Sequence, residues 1–367
     1  MKILTFADIH LGVRNHGKLD PVTNLNTREV NTLKNLDYLI DYSIENHYDV
    51  VVLAGDVYKN NLPTPSLQDQ FNLRIKKLSD ANIKTFILAG NHDISKHPSA
   101  KSAMEVFDTL KLKNVVYSKD FLEYKYNNHN FVFLPTYHTK EEIEECINKV
   151  DYSLPTIFIG HLTIKDALMN DWLIADKEVF IEKNVFDKPN VKAVMLGHLH
   201  KYQVINHNPL VFYTGSTQRI DFNEERQEKG FVVFDTDTLQ HEFIEIESQK
   251  FFTLKLELEH VDNIDEFIKQ ELLKNKSKIE NAIFRIKAKI NQETKYNEQE
   301  LNSLIESLKP DNFLGIIKEI NYTKNLRNKD LTEQLSIHTA LELYFKDKPR
   351  GKEKIDLGKD ILNQLGV

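Results

Sequence analysis

Five stretches of this sequence repeat one arrangement: a short apolar run, then a small residue, then side chains that can bind a metal. They occupy residues 2–10, 50–56, 85–93, 156–161 and 193–200. Short apolar runs rich in Val, Ile and Phe are typical of strands buried on both faces. Each stretch therefore predicts a buried strand followed by a loop. Such loops meet at the carboxyl edge of the sheet, where open α/β sheets bind their ligands.

The small residues in these stretches mark where the backbone leaves each predicted strand. Glycine tolerates both a positive φ and the close approach that such turns can require. The small residues are Ala7, Gly55, Gly90, Gly160 and Gly197. The side chains delivered by the loops are Asp8, His10, Asp56, Asn91, His92, His161, His198 and His200.

The number of candidate ligands favours two metal ions. A zinc ion takes about four ligands, so seven candidates besides His92 are too many for one ion. Two ions that share Asp56 as a bridging carboxylate would use all seven. Imidazole, carboxylate and amide donors without a thiolate suit Mn, Fe or Zn better than Ca or Mg. Two ions roughly 3.5–4 Å apart form the clamp used for in-line attack at phosphorus.

Each motif taken alone has a simpler structural interpretation. An Asp after Gly at a strand end is often a turn residue or a helix cap. The GNHD and GHLH segments at residues 90–93 and 197–200 are stronger signals, because packing rarely requires imidazoles at such positions. The order of all five loops favours a metal site over five unrelated turns.

The ordered series DIH, GD, GNHD, GH and GHLH resembles the calcineurin-like metallophosphoesterases over about residues 1–235. Three features are similar to one branch, the SbcD nuclease subunits that act in DNA double-strand-break repair. These are DIHLG at 8–12, GDVY followed by PTP at 63–65, and YTGSTQRIDFNEERQEKGF at 213–231. The resemblance implies an α/β fold with two mixed β-sheets packed as a sandwich and flanked by helices.

The same resemblance implies a role for each candidate residue, with two divalent ions, Mn²⁺ favoured, as cofactors. The first ion would be held by Asp8, His10, Asp56 and His200, and the second by Asp56, Asn91, His161 and His198. His92 would be the catalytic histidine. In the superfamily a side chain three residues after the bridging Asp usually orients that histidine, but here the position holds Lys59. A carbonyl or another side chain could orient His92 instead, and we expect Asp93 to cap the loop that follows it.

The sequence predicts a nuclease domain over residues 1–248 and a small α+β domain over residues 249–323. In the second domain Arg285, Lys287 and Lys289 share one face of a predicted strand. This face is either an ordinary solvated sheet surface or a contact for the DNA backbone. By resemblance, the small domain caps the active site and helps to hold DNA.

Residues 324–367 predict two amphipathic helices, over 329–345 and 354–365. They either pack back on the cap or, as in SbcD-like proteins, grip the coiled-coil base of an SbcC-like ABC-type ATPase. The resemblance also implies a homodimer formed by helices at 66–79 and 99–110. Met104, Phe107 and Leu110 would supply its apolar patch.

Charge and composition set the remaining expectations. The net charge of −7 lies on residues 1–250, because residues 251–367 balance 20 basic with 20 acidic side chains. Free-standing nucleic-acid binders are usually basic, so a nuclease of this kind would gain affinity from a partner. The single cysteine, Cys146, excludes an internal disulfide. With no apolar run of about 18 residues, we expect a cytoplasmic protein without a membrane segment.

The function predicted from the sequence is a metal-dependent DNA exonuclease and endonuclease. It would be the catalytic subunit of an SbcCD-like complex that processes DNA ends in recombination, repair or replication. The alternative is a calcineurin-like phosphodiesterase or phosphatase that acts on a small molecule or a protein. That alternative needs the same metal loops but has no evident use for the residues beyond 250.

Overall fold

The structure, a computed structural model, describes residues 1–95, 101–136, 139–165, 167–169, 172–173, 179–291, 294–320, 336–346, 348 and 350–364. The strands are β1 (Lys2–Phe6), β2 (Val50–Ala54), β3 (Lys84–Leu88), β4 (Val115–Ser118), β5 (Leu122–Tyr126), β6 (His129–Leu134), β7 (Thr156–His161), β8 (Thr163–Ile164), β9 (Leu168–Met169), β10 (Trp172–Leu173), β11 (Phe180–Ile181), β12 (Val191–Gly197), β13 (Gln203–His207), β14 (Leu210–Tyr213), β15 (Gly230–Asp235), β16 (His241–Glu245), β17 (Lys250–Glu257), β18 (Ala282–Ile290) and β19 (Asn312–Ile320). The α-helices are α1 (Thr27–Glu45), α2 (Pro65–Asp80), α3 (Val106–Leu110), α4 (Lys140–Lys149), α5 (Ile264–Lys274), α6 (Lys276–Ile279), α7 (Glu298–Ser307), α8 (Ile337–Phe345) and α9 (Gly351–Gln364). Short 3-10 helices cover Ala103–Glu105, Lys183–Phe186 and Phe222–Glu224.

Two mixed six-stranded sheets form the main body. The first has the order β16-β15-β1-β2-β3-β4 and the second the order β13-β14-β12-β7-β6-β5. In each sheet four neighbouring strands run parallel, and the others pair antiparallel at the edges. The five strands that precede the metal-binding loops are β1, β2, β3, β7 and β12, all inside these parallel sets. The predicted sandwich of two mixed sheets with flanking helices is confirmed.

The continuous apolar runs follow from burial on both faces. In β2, Val51 and Leu53 face a core shared with α1 and α2, whereas Val50, Val52 and Ala54 face the second sheet. Successive side chains of a strand alternate between faces, so a strand with both faces buried must be apolar throughout. Five buried strands of this kind can hold their loop ends in a fixed relation.

The flanking helices begin at well-defined caps. Asn26 and Glu29 form a capping box at the start of α1, and Thr64 caps α2 with Pro65 in its first turn. These side chains satisfy backbone N–H groups that have no partner inside the helix. The predicted helix at 66–79 matches α2 closely.

A third sheet follows the sandwich, with parallel strands in the order β17-β18-β19. Its apolar face packs with α5 and α7 into a separate core. A small cluster of Phe222, Phe251 and Ile283 joins this sheet to the sandwich. The Asn312 side chain also donates to the carbonyl oxygen of His16 at 2.8 Å.

The C-terminal helices α8 and α9 pack on each other. Gly358 allows their close approach, because a Cβ at this position would lie 2.6 Å from Cδ2 of Leu341. Ile337, Leu357 and Ile361 stay exposed. Residues 321–335 and 365–367, on which parts of both predicted helices fall, lie outside the described residues.

One prediction about the surface is wrong. Met104 is fully buried and Phe107 is only 6% exposed, both within the core beneath the first sheet. The predicted helix at 99–110 is a 3-10 turn followed by the five-residue α3 over the part that the structure describes. Of the three residues proposed for a dimer patch, Leu110 alone is exposed. Within the described ranges, no helix has the length and apolar character needed to cross a membrane.

Candidate dimetal site

The loops that follow the five strands bring most of the predicted ligands into one cluster. Their donor atoms form three overlapping groups, each with all members within 4.8 Å of one another. The groups are Asp8, His10 and His200; Asp8, Asp56 and His161; and His10, Asp56 and His92. The sharing of Asp8, His10 and Asp56 between groups makes this one site with two centres.

Asp56 lies between the two centres. Its Oδ2 is 3.6 Å from Nε2 of His10, and its Oδ1 is 3.4 Å from Nε2 of His161. Burial alone would raise the pKa of Asp56, but the adjacent His161 lowers it well below the usual range. The two oxygens of an ionised carboxylate thus point to different groups of ligands, as a bridging role requires.

His161 and Asn91 form one side of the site. Nε2 of His161 is 3.1 Å from Oδ1 of Asn91, and Nδ1 of His161 is 2.8 Å from the carbonyl oxygen of Ala54. Burial disfavours the charged imidazole, yet Asp56 outweighs this effect and raises the pKa of His161 to about 9. Oxygen atoms of Asp56 and Asn91 lie on either side of the Nε2 donor of His161.

His10 and His200 form the other side. Their Nε2 atoms are 3.0 Å apart, and Asp8 completes the group. The His198 ring lies 5.2 Å from the His161 ring, centroid to centroid, and its backbone N–H donates to both oxygens of Asp8 at 3.1 Å. His198 is therefore next to the cluster, although its ring is not part of the three groups of donor atoms.

The ligand residues themselves adopt the unusual backbone conformations of this site. Asp8, His10, Asp56 and His198 all have positive φ, between 47° and 91°. Such values are uncommon outside glycine and concentrate at functional sites. Of the glycines in the five stretches, Gly55 alone has a positive φ, at 94°.

Gly90 and Gly197 have ordinary φ values, but neighbouring side chains approach them too closely for a Cβ. A Cβ on Gly90 would lie 2.9 Å from Cγ of Asp56, and one on Gly197 would lie 2.9 Å from Nδ1 of His161. Both distances are shorter than ordinary contacts between such atoms. The absence of side chains here therefore allows Asp56 and His161 to occupy their positions.

His92 is oriented by a backbone carbonyl. Its Nδ1 lies 2.9 Å from the carbonyl oxygen of Lys59, and its backbone N–H donates to Oδ1 of Asp56 at 2.9 Å. The His92 side chain is 36% exposed, whereas that of Asp56 is 3% exposed. The main chain of residue 59 thus orients His92 where the metallophosphoesterases that the sequence resembles usually use a side chain, and Nε2 of His92 is directed away from that carbonyl.

The expectation that Asp93 caps the following loop stays a prediction, because residues 96–100 lie outside the described residues. The buried carboxylate of Asp93 accepts hydrogen bonds from the backbone N–H groups of Val57, Tyr58 and Gly90. Burial, reinforced by the nearby Asp56, raises the pKa of Asp93 to about 7. Asp93 therefore braces the two loops that carry Asp56 and Asn91.

Sequence reasoning also missed Glu224 and Lys229. Oε1 of Glu224 lies 2.7 Å from Nδ1 of His200, and its Oε2 lies 2.7 Å from Nζ of Lys229. Burial would raise the pKa of Glu224, but the hydrogen bond from His200 and the charge of Lys229 lower it to about 2. Both residues lie in the 213–231 segment that the resemblance identified without assigning roles.

The donor set fits two divalent cations. It combines carboxylates, imidazoles and one amide at the edge of a rigid sheet, with no thiolate. Nε2 of His10 and Nε2 of His161 approach the two oxygens of Asp56 from opposite groups of ligands. A candidate dimetal site of Asp and His residues is therefore present.

A basic cleft of about 510 Å³ lies beside the metal site, between the sandwich and the third sheet. Arg285 and Lys287 line it together with Lys201, Arg226 and Lys255. The guanidinium of Arg285 stacks 3.7 Å from the centre of the Phe222 ring, so it also fastens the third sheet to the sandwich.

The third predicted DNA contact lies elsewhere. Lys289 pairs with Glu257 at 3.1 Å, in a shallow pocket that also includes Glu259 and Glu319. Its charge is therefore offset by acidic neighbours. Lys289 lies outside the cleft that Arg285 and Lys287 line.

A sandwich of two mixed sheets with a candidate dimetal site at its carboxyl edge is the arrangement expected of a metal-dependent phosphoesterase. Residues 1–202 match the calcineurin-like phosphoesterase family, and the chain belongs to that family. The predicted resemblance is confirmed at this level.

Similar proteins place the chain near DNA repair nucleases. It is 27% identical over 269 residues to the DNA double-strand break repair protein Mre11 of Methanocaldococcus jannaschii, covering 70% of this chain and 69% of that protein. It is 24% identical over 259 residues to the SbcD component of the SbcCD nuclease of Escherichia coli, covering 61% of this chain and 62% of that protein. The chain thus matches less than two thirds of the E. coli protein. Among solved structures, TT1561 of Thermus thermophilus aligns with a TM-score of 0.44 at 10% identity, covering 67% of this chain and 99% of that chain.

Proposed function

We propose that this chain is a metal-dependent nuclease that hydrolyses phosphodiester bonds of DNA, with exonuclease and endonuclease activity. The observation that carries the proposal is the basic cleft, which begins at Lys201, the residue after the candidate ligand His200. A nucleic-acid backbone in this cleft would lead directly to the metal site. The names of the two relatives, a repair protein and a nuclease component, support the same substrate.

We propose for the site residues the roles that the family resemblance implied. One ion would be held by Asp8, His10, Asp56 and His200, and the other by Asp56, Asn91, His161 and His198. When bound, two divalent ions supply Lewis-acid activation of water and of the phosphoryl group, and Mn²⁺ is the metal that we propose.

His92 would act on the substrate. The Lys59 carbonyl accepts a hydrogen bond from Nδ1, which leaves Nε2, 4.0 Å from Oδ2 of Asp56, as the ring nitrogen available to a substrate. It would stabilise charge on a phosphate oxygen or protonate the departing ribose oxygen. The buried ligands cannot do this, since their donor atoms converge on one another.

The division of the chain is part of the proposal. Residues 1–248 would be the nuclease domain, residues 249–323 the cap that holds DNA, and residues 324–367 a docking segment. The separate core of the third sheet supports the second division. The small Phe222 cluster supports a cap that is fastened to the sandwich over a limited area.

Loss of two cleft lysines should weaken DNA binding. Lys255 and Lys287 are paired across β17 and β18 and both line the cleft. In the Lys255→Gln/Lys287→Gln variant we expect affinity for a short duplex to fall by about tenfold or more at low salt. The slope of log affinity against log salt should shrink by about two, because about one counterion is released for each phosphate contact.

A matched variant tests whether position in the cleft matters. Lys269 and Lys274 lie on α5 of the same small domain, away from the cleft, and pair with Glu266 and Glu271. Lys269→Gln/Lys274→Gln removes the same charge but should leave the salt slope near that of the unmodified chain. Equal losses in the two variants, measured by fluorescence anisotropy, would count against the cleft as the DNA site.

The C-terminal helices are proposed to dock an SbcC-like coiled-coil ATPase. Leu357 and Ile361 lie exposed on α9, one turn apart, and an apolar stripe of this kind suits a partner helix. In the Leu357→Glu/Ile361→Glu variant we expect binding to the co-expressed ATPase to fall at least tenfold. Hydrolysis of a small phosphodiester should continue, because α9 contributes nothing to the sandwich core.

The control for docking places acidic residues elsewhere on the same helix. Lys352 and Asn363 are exposed polar positions of α9, and Lys352→Glu/Asn363→Glu should keep partner binding. Co-purification of the ATPase with the Leu357→Glu/Ile361→Glu chain at the wild-type ratio would refute the docking proposal.

The homodimer stays a prediction. Two of the three residues suggested for its contact surface are buried, so that surface would have to involve other residues.

A further inference from the structure

A buried ion pair holds His200 at two points. Nδ1 of His200 lies 2.7 Å from Oε1 of Glu224, and the carbonyl oxygen of His200 accepts from Nζ of Lys229 at 2.9 Å. Glu224 and Lys229 are themselves paired at 2.7 Å, with side chains 4% and 0% exposed. The same pair therefore restrains both the ring and the backbone of one candidate ligand.

Neighbouring groups supply further hydrogen bonds to both Glu224 and Lys229. Oε2 of Glu224 also accepts from the backbone N–H of Ile220 at 3.1 Å. Nζ of Lys229 also donates to Oγ of Ser216 at 2.9 Å and Oε1 of Gln227 at 2.8 Å. Burying two charges costs desolvation energy, and apolar residues of similar volume often give equal stability. Packing alone therefore does not explain why this charged arrangement lies behind His200.

The contact with Glu224 decides which ring nitrogen of His200 donates a hydrogen bond. A carboxylate can only accept, so Nδ1 of His200 donates to Glu224, and Nε2 is the ring nitrogen available to an ion. That Nε2 is directed into the group formed with His10 and Asp8. Carboxylates placed in this way orient metal-binding histidines and raise their basicity.

We propose that Glu224 is a positioning residue of the metal site and that Lys229 keeps Glu224 charged and in place. Glu224 sets the tautomer and ring orientation of His200, and so tunes the ion on the His10 side. The inference rests on the proposed dimetal site. It predicts no change in binding of the ion on the His161 side, because Glu224 does not contact that side of the site.

A matched control separates this role from simple stability. Glu29 is also buried, with a side chain 1% exposed, and pairs with Arg14 at 2.8 Å in the capping box of α1. It contacts no candidate ligand. Glu29→Gln therefore makes the same chemical change as Glu224→Gln at a site where only the fold depends on it.

The experiment is a titration of Mn²⁺ into the metal-free full chain, followed by calorimetry and by electron paramagnetic resonance. In Glu224→Gln we expect one Mn²⁺ to bind about 10–100-fold more weakly, with the other near its wild-type affinity. The signal of a spin-coupled Mn²⁺ pair should disappear at concentrations that saturate the wild type. Glu29→Gln should melt at a lower temperature and keep both affinities.

A second variant keeps the test valid if Glu224→Gln does not fold. Glu224→Asp preserves the charge beside Lys229 but is one methylene too short to reach His200, so it should show the same selective loss. Wild-type affinities for both ions in either folded variant would overturn the role of Glu224, as would an equal loss in Glu29→Gln. A wild-type chain that binds no Mn²⁺ pair would instead overturn the dimetal proposal on which this role depends.

Discussion

Replacing Asp56 by Asn should abolish phosphodiester hydrolysis and remove the ability to hold two metal ions. Its two oxygens point to different groups of ligands, Oδ2 toward His10 and Oδ1 toward His161. An ionised carboxylate between two cations offsets their mutual repulsion, and a neutral amide cannot. The loss should therefore exceed that from removing a ligand of one ion only.

Metal content measured by mass spectrometry after gel filtration checks this result. Asp37→Asn is the control, because it breaks the ion pair with Arg74 between α1 and α2 and leaves the site alone. Melting curves should show that both variants fold. Two tightly bound ions in folded Asp56→Asn would refute the bridging role and leave Asp56 as an ordinary ligand of one ion.

The parts of the fold that the sequence predicted well are those that local pattern determines. β2 is apolar at every position because it is buried on both faces, and its run is readable without any other part of the chain. The predicted strand that carries Arg285 and Lys287 on one face is likewise present, as β18. Strand ends then place the candidate ligands, since parallel strands share a carboxyl edge.

The contacts that hold those ligands could not be predicted, because they join distant parts of the chain. Glu224 reaches His200 across 24 residues, and Asp93 reaches Tyr58 across 35. Neither contact has a signature in local spacing. The sequence cannot identify the Lys59 carbonyl as the partner of His92, because every residue has a backbone carbonyl.

Burial explains why the predicted apolar patch is wrong, and strand register explains the acidic neighbours of Lys289. Met104 and Phe107 have the spacing of an amphipathic face, but pattern alone cannot say whether that face meets the protein's own core or a second copy. Lys289 alternates correctly with Arg285 and Lys287 on β18. Its neighbours Glu257 and Glu319 lie on adjacent strands whose register the sequence does not reveal.

Replacing His92 by Ala should lower turnover but keep both metal ions, whereas the change at Asp56 should remove them. Turnover should fall by roughly two to four orders of magnitude, the usual effect of losing a positioned acid or charge stabiliser. Metal content should stay near normal, because four protein ligands remain for each proposed ion. The site geometry makes this a sharp test, since His92 also lies within 4.8 Å of donor atoms of His10 and Asp56.

Mn²⁺ affinity measured beside the turnover number decides between the two roles. A catalytic His92 predicts low turnover with two Mn²⁺ bound, whereas a metal-ligating His92 predicts that one ion is weakened or lost. His207→Ala, at an exposed position on β13, controls for loss of an imidazole in general. The Lys59 carbonyl accepts a hydrogen bond from Nδ1, and the His92 side chain is 36% exposed whereas that of Asp56 is 3% exposed. A phosphate can therefore approach Nε2 of His92 more readily than it can approach a buried ligand, which favours the first result.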